Sequence, residues 1–340
     1  VGRTRGRRLL ALVVALVALG SVVVACSADD SSTSDAGGTG TDDSQPQAGD
    51  AGPSDGGPAV GDPPYEIETL QETFVDASRP TPEIAGTGVP ASDERTLVTT
   101  VRIPRTEGRF PLIVFSHGHA GHPDKFVRML DTWAAAGYVV VAPAFPLSND
   151  HVPGAPSVFD LQEQSGDVSF LIDEVLSRSH VPGDPFEGIV DNERIGIGGL
   201  SLGAATTYAA AFGECCADER VDAVVALSGL EVPGQADLRS VPTFVAHSAD
   251  DATLPYDSAV RMYESATGPA YLLTLPTGGH SIPYEDNGHE SGPVIDLATT
   301  RFWDRYLRGD QDVPEQLVTA AELGDTTLEL GGDLPPEAIP

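Results

Sequence analysis

The most constraining stretch of the chain is residues 194–212, RIGIGGLSLGAATTYAAAF. A short apolar run of strand character meets a run of small residues of helical character, with almost nothing between them. At the junction stands Gly199-Leu200-Ser201-Leu202-Gly203, a G-x-S-x-G pattern. In a chain with 37 glycines the pattern alone says little; its place between strand and helix carries the argument. So abrupt a turn holds its central residue in strained dihedrals with the hydroxyl exposed. Gly199 and Gly203 suit it because side chains there would collide with the neighbouring helix and strand. Gly203, Ala204 and Ala205 let the helix lie close to a sheet, its N-terminal dipole facing Ser201.

The middle of the chain supplies that sheet. Residues 96–103 (TLVTTVRI) suggest an antiparallel leading strand. Strands are expected at 111–116, 138–145, 194–199, 221–227, 241–246 and 270–275, most of them apolar enough to be buried on both faces. Helical patterns fall at 126–136, 164–176 and 202–212, from about Asp257, and at 295–307. Strands alternating with helices predict one mostly parallel sheet covered on both sides. No intervening stretch is long enough for a large cap domain.

A serine at such a turn needs a base and an orienting acid. In LTLPTGGHSI a strand ends at Leu275 and a glycine-rich loop presents His280. The other histidines are worse placed: His289 in a polar loop, His180 between elements, His247 at a strand end. For the acid, FVAHSADDATLP places Asp250 and Asp251 just past a strand. Chemistry does not separate these two; position, four residues before Pro255, favours Asp251, and Glu231 is a third candidate. Leu202 N–H, directly after Ser201 at a helix start, is a natural donor to an oxyanion. His117 suits an internal tie for its own loop. No acidic fourth ligand or H-E-x-x-H frame accompanies His117, His119 and His122, so neither metal nor cofactor is expected.

The order Ser201, Asp251, His280, with this strand pattern, closely resembles the α/β-hydrolase superfamily. The segments FPLIVFSHGHAG, AAAGYVVVAPAFP, IGGLSLGAA, HSADDATLP and GGHS are similar to its extracellular esterase and lipase branch, which includes platelet-activating-factor acetylhydrolase-like, chlorophyllase-like and polyester-hydrolase-like enzymes. The resemblance covers roughly residues 65–309. It implies an α/β-hydrolase fold without a large cap, a nucleophile at Ser201, a base at His280, and the D-x-x-x-P acid at Asp251. It also implies a second oxyanion donor at His119, the residue after His-Gly. Dienelactone hydrolases carry cysteine at the turn, so the serine argues against that subclass. This chain departs from the pattern after the acid-bearing strand, where His247 or Ser248 replaces a frequent glycine. The expected activity is carboxylic ester hydrolysis through an acyl-enzyme. An amidase or peptidase of the same fold, and a non-catalytic cell-envelope binding lipoprotein, are the alternatives. Phe145 and Tyr284 either flank the substrate or pack in the core. A fairly open cleft favours short-acyl esters or polymer ends, and a monomer is expected.

The flanks carry a different signal. Residues 1–8 hold four arginines, residues 9–25 are apolar or small, and Cys26 follows in VVAC. This is the layout of an export signal, and VVAC resembles a bacterial lipobox. The resemblance implies cleavage before Cys26 and lipid on its thiol, anchoring an extracytoplasmic protein to the cell membrane. Residues 27–64 lack aromatic, lysine and arginine side chains, as expected of an acidic, disordered tether. Residues 310–340 form an acidic tail with enough apolar content for partial docking. The formal charge of -32, with Lys125 the only lysine, repels nucleic acid phosphates, so nucleic-acid binding is excluded. Cys215 and Cys216 are expected to take no part in catalysis; their redox state is left open.

Overall fold

In a computed structural model of the chain, residues 64–231, 240–313 and 315–331 are described. The elements follow in chain order. They are β1 (Ile67–Asp76), β2 (Arg95–Pro104), β3 (Phe110–Ser116), α1 (Val127–Ala135), β4 (Val139–Ala144), α2 (Leu161–Arg178), β5 (Val190–Leu200) and α3 (Leu202–Phe212). After these come β6 (Val221–Leu227), β7 (Thr243–Ser248), α4 (Asp257–Glu264), β8 (Ala270–Leu275), α5 (Gly292–Leu307), α6 (Ala320–Leu323) and β9 (Thr327–Gly331). Among the described residues nine strands form one sheet, in the order β1-β2-β4-β3-β5-β6-β7-β8-β9. Strands β4, β3, β5, β6, β7 and β8 pair in parallel; β1, β2 and β9 join antiparallel at the two margins. This is the α/β-hydrolase architecture, a mostly parallel sheet with helices on both faces.

Alternation along each strand divides the core in two. Leu112 and Val114 of β3 face the side covered by α2, α3 and α4, where Val168, Leu171, Tyr208 and Met262 are buried. Ile113 and Phe115 face the side covered by α1 and α5, against Met129, Trp133, Phe302 and Trp303. The rings of Trp133 and Trp303 meet edge to face at 5.7 Å. A buried ion cluster ties the antiparallel margin to α2: Arg95 Nε donates to Asp167 at 2.6 Å and its Nη2 to Asp160 at 2.8 Å.

Two features differ from the sequence reading. β1 lies in IETLQETFVD, too charged to stand out as a strand; on the sheet margin it needs to bury few side chains, chiefly Phe74. The acid-bearing strand begins at Thr243 rather than 241 because Pro242 has no N–H for the ladder, and it extends to Ser248, drawing His247 into the sheet. The docking of the tail past 309, left open by the sequence, is visible up to residue 331. Leu317 and Val318 are buried, and β9 pairs with β8 over five residues. Cys215 and Cys216 are joined by a disulfide beyond the C-terminus of α3, at the end of that helix away from Ser201. Among the described residues no helix is long and apolar enough to cross a membrane.

Candidate active site

Because β3, β5, β7 and β8 run in parallel register, the loops leaving their C-terminal ends converge at one end of the sheet. β5 passes into α3 through Ser201, held at φ 57° and ψ −114°, a region costly for any residue with a Cβ. Packing enforces the strain. A Cβ on Gly203 would stand 2.0 Å from Ser116 O, and one on Gly199 would stand 2.3 Å from Gly203 O. The Ser201 N–H donates to Leu227 O at 2.9 Å, pinning the turn to the end of β6.

Ser201 Oγ is 2.7 Å from His280 Nε2, and His280 Nδ1 is 2.7 Å from Asp251 Oδ2. An ionised carboxylate only accepts, so Nδ1–H donates to Asp251 and Nε2 is left to accept the serine proton. The three residues follow the C-terminal ends of β5, β7 and β8 and stand between 29 and 79 positions apart in sequence. The Asp251 side chain is 0% exposed and that of His280 18%. The acid is shielded while the base reaches the surface.

Burial alone pushes the Asp251 carboxyl up. Hydrogen bonds from His247 and His280, the charge His280 can carry, and the Leu254 N–H outweigh it, holding the carboxyl well below its usual range. Its second oxygen accepts Thr253 N–H at 2.7 Å and Leu254 N–H at 3.0 Å. Asp250 points elsewhere. It is exposed and accepts Gly279 N–H at 2.8 Å and Gly278 N–H at 3.4 Å, bracing the loop that carries His280. Glu231 pairs with Arg261, away from the imidazole.

The turn 117–119 abuts the serine: a Cβ on Gly118 would lie 3.3 Å from Ser201 Cβ. His119 N–H has no hydrogen-bond partner among the described residues. Leu202 N–H, at the first position of α3, has no acceptor within the helix. Two backbone donors therefore flank the nucleophile. The His119 imidazole is turned aside to Pro156 O at 2.9 Å. His117 is wholly buried: its Nε2 accepts Phe145 N–H at 3.0 Å, and its Nδ1 lies 2.7 Å from Gly118 O. Burial pushes this imidazole down to about 4, against the opposing Gly118 bond.

Of the two readings left open for Phe145 and Tyr284, the structure takes packing in the core. Phe145 and Tyr284 are each 0% exposed and belong to the core. Phe145 packs against the His117 ring at 5.1 Å. The Tyr284 hydroxyl donates to Ala246 O at 3.1 Å and accepts from Ser228 at 3.2 Å, tying the loop after His280 to the strand ends beneath it. The sequence marked His247 as a rival base and as a replacement for a frequent glycine; in the structure its Nε2 lies 3.1 Å from Asp251 Oδ2. Its place four residues before the acid was the only available signal. Cys26 lies outside the described residues.

A family model described as chlorophyllase matches residues 83–255. The matched span includes the 117–119 turn, Ser201, Asp251 and Pro255, and ends before His280. No curated protein matches the chain.

Proposed function

The chain belongs to the chlorophyllase family, whose members are α/β-hydrolase-type esterases, and from that premise we propose that it is a serine hydrolase of carboxylic esters working through an acyl-enzyme. The observation that carries this reading is the continuous relay of two 2.7 Å hydrogen bonds from Ser201 to His280 to Asp251. Ser201 Oγ attacks the ester carbonyl while His280 Nε2 takes its proton. Negative charge then gathers on the former carbonyl oxygen, where Leu202 N–H and His119 N–H donate to it. Such donors are typically worth about 3 kcal/mol each, because they act on charge absent from the ground state. Asp251 stabilises the imidazolium, which returns its proton to the leaving alcohol. Water, deprotonated by His280, attacks the acyl-enzyme and releases the acid. The partly exposed serine and base favour soluble short-acyl esters or accessible polymer ends.

The test is a fluorophosphonate probe on the folded protein, together with nitrophenyl esters graded by acyl length. Labelling and turnover should both vanish in Ser201→Ala. A folded wild-type chain that neither labels nor turns over any ester would overturn the reading. We further propose, from the basic start, apolar run and VVAC, that the chain is exported and lipidated at Cys26. Intact-mass analysis of membrane-extracted protein should find mature chains that begin at lipid-bearing Cys26; unmodified Cys26 in most molecules would sink this.

A further inference from the structure

Asp251 serves two histidines. His280 approaches Oδ2 from the loop after β8 at 2.7 Å, and His247 approaches the same oxygen from the end of β7 at 3.1 Å. The His247 ring is 0% exposed and stands edge-on to Tyr256, their centroids 6.0 Å apart. Its Nε2 also faces Leu254 O at 3.2 Å, whereas its Nδ1 is buried with no hydrogen-bond partner among the described residues. Two acceptors at Nε2 and none at Nδ1 fix the tautomer: the proton is on Nε2 and is directed at Asp251 and Leu254 O.

We propose that His247 is a positioning residue that acts on Asp251 and, through it, tunes the basicity of His280. The proposal rests on the reading of Ser201, His280 and Asp251 given above. Oδ1 is held by Thr253 and Leu254 N–H, so His247 is the side chain that settles where Oδ2 stands and how much of its charge faces His280. A carboxylate that shares Oδ2 with a second donor attracts the His280 imidazolium less strongly. His280 is held with its Nδ1–H on Oδ2 and its Nε2 facing Ser201. Other titratable groups nearby are few. Tyr284 lies beneath Asp251, Tyr256 flanks His247, Asp250 braces the base loop through backbone N–H groups, and Glu285, its carboxyl pushed up by burial, faces His280.

The experiment compares His247→Gln with His247→Asn. A glutamine amide ends about where Nε2 stood and keeps a donor on Oδ2; an asparagine amide is shorter and ends near the Nδ1 position. The midpoint of His280, followed by imidazole 15N chemical shift in the full chain, is read without substrate, and kcat and the acid limb of kcat/KM are read on a short-chain ester. His247→Asn should raise the midpoint and the acid limb by about half a pH unit and lower kcat by roughly tenfold. His247→Gln should stay within about threefold of wild type in kcat and within ~0.2 pH units in midpoint, since its amide still donates to the carboxylate. Should the Asn chain not fold, His247→Met, which fills the space without a donor, takes its place. Equal losses in the Gln and Asn chains with an unmoved midpoint would make His247 mere packing and overturn the proposal. So would wild-type behaviour in both. A wild-type chain inert to fluorophosphonate and to esters overturns the serine-hydrolase reading and this proposal together; a reactive wild type with an unshifted Asn variant overturns this one alone.

Discussion

Adjacent carboxylates at 250 and 251 have opposite fates because one peptide turns each toward a different donor set. Asp251 is shielded and receives side-chain and backbone donors, while Asp250 lies in solvent and holds only the N–H groups of the base loop. Replacing Asp251 by asparagine keeps size but leaves the imidazole facing an amide, so kcat should fall by about 10⁴. Asp250→Asn should cost less than tenfold, since the amide oxygen still accepts from Gly279. Initial rates on a short-chain ester, with circular dichroism as the check on folding, decide between them; reversed losses would move the acid to Asp250. His117 offers a pH test of stability. Its folded value of about 4 lies below the roughly 6.5 of an unfolded histidine. Between those values the unfolded chain binds the proton and the folded chain does not, so stability is fully present above about pH 6.5 and is lost as pH falls toward 4. The loss is on the order of 3 kcal/mol. His117→Gln can still accept from Phe145 N–H and should remove that slope. Urea unfolding of both chains at pH 7.5 and pH 4.5 measures it, and parallel pH dependences would disprove the assignment.

The elements meet most tightly where β5 becomes α3. Gly203 lies so close to β3 that an added Cβ falls inside Ser116 O and near His117 O, both backbone atoms. Neither can move without opening the β3–β5 pairing or displacing the 117–119 turn. Gly203→Ala should therefore cost about 3 kcal/mol or more and, where the chain still folds, abolish rapid acylation by moving Ser201 away from the two N–H donors. Thermal unfolding and the rate of fluorophosphonate labelling report the two effects separately. A variant that labels at the wild-type rate would show that α3 can retreat from the sheet.

Across the whole molecule, the acidic tail closes the side of the sheet opposite β1. Val313, Leu317 and Val318 are buried, Arg301 pairs with Glu322 at 2.9 Å, and β9 covers the outer edge of β8. A chain ending at 309 loses three buried aliphatic side chains, worth roughly 5 kcal/mol or more together. It also bares a strand edge carrying Tyr271 and Leu273, an invitation to pairing with other chains. Such a chain should unfold at markedly lower urea and sediment as aggregates. An unchanged midpoint would mean that the tail is an ornament on a finished fold.

How much of this was legible in residue order follows from the range of the forces involved. The parallel strands, the helices and the turn at Ser201 are written in local patterns, because burial on both faces and close helix packing demand particular side chains at each position. Ser201 and His280 could be named for the same reason, each marked by glycines beside a strand end. The margins were hidden: β1 and β9 carry charges that an edge strand tolerates, and only their pairing with β2 and β8 makes them strands. The roles of Tyr284, Phe145 and His247 depend on which side of a strand end each side chain takes, a matter of register. A two-residue displacement of the acid-bearing strand was enough to conceal that His247 and Asp251 touch. Contacts across 29 and 79 residues between His280, Asp251 and Ser201 arise from the order in which strands pair, and only the folded sheet determines that.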